Sequence, residues 1–293
     1  MVKLTAILGI LALLHARICE SLKIGSERCP FDGMCGTNCI GTTYGGRYLL
    51  NDSLPFLESL DPASAKVLAI GIGGDASFEV GLACKYGFKI HLYDPSPSVP
   101  WHMQAIHAMV GRSTSEWHDT LPAHSKCKNC KNYWSDVAKS RVNASQLVYH
   151  SIAIADEDGD LTFYRNSNVS NETGSWSLDP TMRAEGIQSF QVPTKNLSSI
   201  MHDIQYTKLD IFKLDVEGLE ISVLSQLLRI PNNSLPRLIY VDMDSMGHDN
   251  CGGTAAVCAR KHKQALNIID RLEARGYKYI KQHNCDVAFW RAV

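Results

Sequence analysis

The stretch KVLAIGIGGDASFEVGLACKYGFKIHLYDPSP, residues 66–97, constrains what this chain can fold into more than any other. A short apolar run, KVLAIGI, turns at a glycine cluster into a helical pattern, SFEVGLACKYG. A second apolar run, KIHLYD, ends on an acid. Strand, turn, helix and strand in that order make one β–α–β unit, with parallel strands and the helix packed across them. Glycines at such a turn allow positive φ and let a ligand approach the backbone closely. Asp94, 23 residues beyond Gly71, stands where a carboxylate can accept the ribose hydroxyls of an adenosine.

Two adenosine cofactors compete for such a turn. Gly71, Gly73 and Ala76 fit the G-x-G-x-x-G/A dinucleotide spacing, which is a weak motif on its own. A dinucleotide places pyrophosphate at the helix N-terminus, whereas S-adenosylmethionine places its methionine carboxylate and amine near the loop. Asp75, next to Gly74 in the turn, opposes a pyrophosphate and tolerates an ammonium.

Beyond this unit apolar runs continue to alternate with helical patterns, the signature of a doubly wound (Rossmann-like) α/β sheet. WHMQAIHAMV predicts a helix, LVYHSIAIA the third strand, and GDLTFYRN an added strand after the turn at DEDG. DIFKLD predicts the fourth strand and EGLEISVLSQLL the helix after it, with Leu219, Val223, Leu224 and Leu227 at helical spacing. RLIYVDM is the fifth strand and HKQALNIIDRLEARG a long helix. YKYIKQ and DVAFWRAV then form a C-terminal antiparallel hairpin. Upstream, RYLLNDSLPFLESL predicts a helix in a Cys- and Gly-rich lead-in, and residues 112–142 are expected as a polar insertion or surface loop.

Residues 1–21 read as a secretory signal, or as a signal anchor: Lys3 precedes LTAILGILALLHA, an apolar run short for a spanning helix. Residues 22–59 are the lead-in and 60–293 the α/β domain, with no membrane span in the mature chain. Sequons at Asn51, Asn143, Asn168, Asn171, Asn196 and Asn232 agree with a secreted or Golgi-lumenal, glycosylated product. Of ten cysteines, Cys19 lies at the signal boundary and Cys84 is expected as a buried free thiol. The other eight allow four disulfides, including a disulfide-rich lead-in, as suits an oxidising compartment. Cys127-x-x-Cys130 with His118 and His124 could instead bind zinc or serve as a redox pair. A net charge of −1 gives no footprint for nucleic acid, and no charge run points to a membrane surface.

FKLDVEGLEISVL, residues 212–224, closely resembles the hallmark of the FkbM family of S-adenosylmethionine-dependent methyltransferases. LYDPSP, AIADEDGDLTFY, TGSWSL with VPTKNLSSI, and IYVDMD are similar to further segments of that family, in the same order over about residues 60–290. The resemblance implies a class I methyltransferase sheet, S-adenosyl-L-methionine as cofactor, and a hydroxyl acceptor, often on a sugar. With a secretory address, a glycan acceptor is expected. The expected cofactor-binding residues are Gly71, Gly73, Gly74, Asp75 and Asp94, and the resemblance adds Asp156 near the adenine.

Asp215 at the end of the fourth strand is the expected base that takes the acceptor's proton. Glu217 either orients the acceptor or favours the next helix's N-terminus, where Glu220 also belongs. His248 is a rival base, and Asp215, Asp244 and His248 could hold a divalent metal, although no metal is assigned. Two departures stand out. Class I methyltransferases usually carry an acid two residues before the first glycine, where this chain has Ala69, and their third loop glycine is Asp75. These changes motivate a second reading, a secreted non-catalytic binding protein on a degenerate methyltransferase fold.

Overall fold

A computed structural model describes residues 39–42, 45–111, 133–166, 187–216, 218–243, 246, 255–283 and 286–292. The first β–α–β unit forms as expected, with β3 at Val67–Ile70, α2 at Ser77–Tyr86 and β4 at Ile90–Tyr93. Upstream, β1 (Cys39–Ile40) and β2 (Arg47–Tyr48) pair as a short antiparallel ribbon, and α1 covers Leu54–Ser59. The expected lead-in helix is therefore shorter than RYLLNDSLPFLESL. Arg47 and Tyr48 are taken into the ribbon, and Pro55 at the helix start fits only the first turn.

After β4 come α3 (Val99–Met109), α4 (Tyr133–Lys139) and β5 (Leu147–His150). α4 lies inside the segment expected to be loop, and packs Tyr133, Trp134 and Val137 into the core. The stretch LVYHSIAIA is not one strand. It breaks at Ser151–Ile152 and continues as β6 (Ala153–Ile154), which joins a separate three-stranded sheet with β7 (Gly159–Asn166) and β8 (Ile187–Lys195). VPTK of the VPTKNLSSI segment is the end of β8 and is followed by α5 (Leu197–Asp203), while TGSWSL lies outside the described residues.

The remaining elements are β9 (Ile211–Leu214), α6 (Glu220–Leu227), β10 (Leu238–Asp242), α7 (Ala255–Glu273), β11 (Lys278–His283) and β12 (Asp286–Trp290). The central sheet runs β11-β12-β10-β9-β3-β4-β5. β5, β4, β3, β9 and β10 are mutually parallel, while β12 is antiparallel to both β10 and β11. The mixed sheet with helices on both faces is consistent with a methyltransferase fold.

Alternation along the strands divides the core in two. Val67, Ala69, Ile211 and Tyr240 face α2, α3 and α4, whereas Leu68, Ile70, Phe212 and Ile239 face α5, α6 and α7. On the second face Val223, Leu224 and Leu227 of α6 are fully buried, each worth about 1.5–3 kcal/mol. On the first, Phe78 meets Tyr240 edge-on at 5.0 Å between ring centroids, which ties α2 to β10. Cys84 is half-buried and, like the buried Cys39 and the half-buried Cys258, is disulfide-bonded, so the expectation of a free thiol is corrected. Among the described residues no helix is long and apolar enough to cross a membrane.

Candidate functional site

Strand order reverses between β3 and β9, so the carboxyl ends of these two neighbours frame a crevice where open α/β sheets take ligands. Gly71 and Asp215 lie on its two sides. Gly71 has φ +81°, and a Cβ there would sit 1.6 Å from the Asp215 carbonyl oxygen, so the two strand ends touch backbone to backbone. Gly73, at φ +57°, has nothing within 4 Å of where its Cβ would be, which leaves the space above the turn open. Gly74 needs no positive φ.

Asp94 shapes this turn from within. Its Oδ2 accepts the N–H groups of Ile72 and Gly73, both at 2.8 Å, and its Oδ1 accepts that of Ser96 at 2.8 Å. The carboxylate expected to face a ribose thus also holds the glycine turn in place. Asp75 is buried and turned away from the open side. Thr42 Oγ1 donates to its Oδ2 at 2.6 Å and the Ser77 N–H to its Oδ1 at 2.8 Å. Burial raises the Asp75 pKa, held back by the bonds from Ser77 and Thr42. Behind the turn, Tyr133 accepts the Ala76 N–H at 3.2 Å and contacts His102 Nε2 at 2.9 Å.

Below the crevice lies a buried charge network. Lys213 Nζ donates to the Gly71 carbonyl and lies 3.5 Å from Glu79 Oε1 and 3.4 Å from Asp215 Oδ2. Burial pulls the Lys213 pKa down, but Asp215 and Glu79 together more than reverse it. Glu79 is raised by burial against the attraction of Lys213, and neither of its oxygens accepts a hydrogen bond. Arg47 from β2 places one guanidinium nitrogen, Nη2, 3.4 Å from Asp215 Oδ2 and 3.0 Å from Asp286 Oδ1. Its pKa stands above the ordinary value, because Asp286, Asp215, Asp242 and Glu79 outweigh the effect of burial.

Asp215 differs from these buried groups. Its side chain is 38% exposed, so a solute can reach it. Arg47 and Lys213 both approach Oδ2, and Oδ1 has no partner among the described residues. One oxygen is therefore clamped, while the other is left unpartnered on a partly exposed side chain. Glu220 begins α6 next door with its Oε1 accepting the Gly218 N–H at 2.8 Å.

Asp156 lies apart from this network. It is exposed and accepts from Ser222 Oγ, and from Gln226 Nε2 at 3.3 Å, which fastens the end of β6 to α6. Glu217, Asp244 and His248 lie outside the described residues, as do Cys127, Cys130, His118 and His124. Among the described residues no group of three His, Cys, Asp or Glu could hold a metal.

Sequence reasoning missed Arg47, Lys213, Glu79 and the buried character of Glu220. For Lys213 and Glu79 a signal was present: charges at core positions of FKLD and SFEVGLA must be paired if buried. Arg47 carries no such signal.

The family model for the methyltransferase FkbM domain matches residues 105–279, well over half of the chain. No curated protein and no solved structure matches it. The matched range includes β9 and Asp215 but starts within α3, so the glycine turn, Asp94 and the β1–β2 ribbon precede it.

Proposed function

The chain belongs to the FkbM methyltransferase family, and on that premise we propose that it transfers a methyl group from S-adenosylmethionine to a hydroxyl acceptor. The observation that carries the reading is Asp215, with one carboxylate oxygen clamped and the other open at the switch point beside the glycine turn. The residues around the turn fit the cofactor. Open space at Gly73 admits a ligand against the backbone. Asp94 and Asp215 bring carboxylates to the two strand ends, where they tolerate a sulfonium and oppose a pyrophosphate.

When bound, the cofactor supplies a methyl group on positively charged sulfur. Gly71 and Gly73, in the turn that Asp94 holds through the Ile72 and Gly73 amides, would take its methionine end. Asp215 Oδ1 takes the acceptor's hydroxyl proton while the new O–CH3 bond forms, and the sulfur retains the electron pair of the bond it loses. Lys213 and Arg47 keep Asp215 in place and excluded from pairing elsewhere. The remainder of the catalysis is alignment of acceptor and donor.

A glycan in the secretory pathway is the acceptor that six sequons and an apolar N-terminus favour, and three disulfide-bonded cysteines support an oxidising compartment. The second reading, a non-catalytic binding protein, is favoured by Ala69 and by a family match that begins beyond the glycine turn. The test is calorimetry with S-adenosylhomocysteine, followed by radiolabelled methyl transfer to a glycan panel. Asp215→Asn is expected to keep cofactor binding and lose roughly 10²- to 10⁴-fold in turnover. Cofactor binding by the wild type without transfer to any lumenal acceptor would replace the first reading with the second.

A further inference from the structure

We propose that the β1–β2 ribbon, which precedes the family domain, is part of the transfer site, and that its Arg47 is a positioning residue for Asp215. The inference rests on the methyltransferase reading and adds to it a residue that the matched range does not contain.

The ribbon is built onto the site at three points. Thr42 donates to Asp75 in the glycine turn, and its own N–H donates to Ser77 Oγ at 2.8 Å at the start of α2. At Gly41 and Gly45 a Cβ would lie within 3.0 Å of Ser77 Oγ and of Asp75, so the ribbon and the turn are in direct contact. Tyr48 then accepts through its carbonyl from Tyr240 of β10 at 3.2 Å and from Gln282 of β11 at 3.0 Å. Between these anchors Arg47 is 4% exposed and points into the crevice floor.

A buried arginine is costly to desolvate, and it persists where its partners are fixed and charged. Here the partners are Asp286 at the start of β12 and Asp215 at the end of β9, so Arg47 spans the carboxyl end of β10 between them. Asp286 lies opposite Asp242 in the β10–β12 ladder, a like-charge pair that would repel without a cation over it. Asp286 therefore holds Arg47 in place, and Arg47 holds Asp215 Oδ2. The consequence is directional. With Oδ2 engaged by Arg47 and Lys213, rotation of the carboxylate is restricted and Oδ1 keeps its aim at the acceptor. Lys213 also serves Glu79 and Gly71, so Arg47 supplies the second anchor on Asp215.

Contact with both carboxylates is made by the single nitrogen Nη2, which a lysine ammonium could replace. Arg47→Met and Arg47→Lys in the full chain therefore test the assignment. Arg47→Met is expected to lower kcat by roughly 10- to 100-fold, as misplacement of a reacting group does. KM for the donor and affinity for S-adenosylhomocysteine should stay within about threefold, and Arg47→Lys should recover most of kcat. Independently of turnover, S-adenosylhomocysteine should slow hydrogen exchange in the wild-type peptide that carries Arg47. Full kcat in Arg47→Met overturns the proposal. So does a parallel loss of kcat, affinity and Tm that Arg47→Lys does not repair, since that marks a purely structural contact. If the wild type binds no S-adenosylhomocysteine, the methyltransferase reading fails and takes the inference with it. If it binds and transfers while Arg47 proves dispensable, the inference fails alone.

Discussion

Glu220→Gln should change how the stability of this protein depends on pH. Glu220 is 1% exposed in the first turn of α6, next to Asp215 and Asp242. Burial pushes its pKa from 4.5 up to about 8; the N–H groups of Gly218 and Glu220 hold it back, and Asp242 and Asp215 add to the rise. Between these two values the folded chain binds a proton that the unfolded chain has released. Stability therefore is greatest below the unfolded value and falls as pH rises through the window up to about 8. At 1.36 kcal/mol per tenfold change in proton affinity, the loss from this residue amounts to roughly 3–5 kcal/mol. Glutamine retains an oxygen for the Gly218 N–H and carries no proton to lose. Urea unfolding of the wild type with disulfides intact, from pH 5 to pH 8.5, should show the fall. The Glu220→Gln curve should be flatter by about that amount. Parallel curves for the two proteins would refute the reasoning, because the buried carboxyl would then have no part in the linkage.

Gly71→Ala should prevent accumulation of folded protein, since both a φ of +81° and a Cβ 1.6 Å from the Asp215 carbonyl oxygen oppose it; expression yield and circular dichroism would reveal this. Asp94→Ala removes the acceptor for the Ile72 and Gly73 amides, at roughly 1–3 kcal/mol for the buried Ile72 amide, while water can reach that of Gly73. It should also abolish most of the melting shift produced by S-adenosylhomocysteine, which for the wild type is worth about 2.7 kcal/mol at 100 times Kd. A variant that still shows the full shift would detach Asp94 from the cofactor. In animal cells the chain should be endoglycosidase-sensitive, with Asn51→Gln, Asn143→Gln and Asn232→Gln each reducing the mobility shift, since these asparagines are exposed. Asn196 is a poor acceptor, because it is only half-exposed and its side chain caps α5 and donates to Asp158 at 2.8 Å. An unglycosylated product would remove the support for a glycan acceptor.

The parallel strands and the helices beside them were legible because each is a short apolar run or a 3.6-residue pattern bounded by turn residues. Errors arose where that rule lacks purchase. LVYHSIAIA contains no glycine or proline, yet the chain changes sheets between His150 and Ala153, a step decided by the partner strand β8. β8 itself was hidden by Pro193, which reads as a break but pairs with Asp160 in a three-stranded sheet. Arg47 was invisible because Asp215, 168 residues away, gives it a purpose that no local pattern records.

The departure at Ala69 shows why a motif read along one strand can mislead. In the parallel β3–β9 ladder Ala69 is the direct partner of Lys213, so an acid at that position would stand beside the lysine. The small side chain leaves room there, and the Glu79 carboxylate from the first turn of α2 approaches Lys213 instead, at 3.5 Å. Lys213 consequently remains paired, continues to hold the Gly71 carbonyl, and continues to face Asp215. The loss in the strand and the gain in the helix are ten residues apart and on different elements, so neither reveals the other in sequence. The carboxylate beside Lys213 is therefore supplied by the helix rather than by the strand. Glu79→Gln should therefore loosen the glycine turn through Lys213, which hydrogen exchange at Gly71 and Ile72 would report, and unchanged exchange there would refute it.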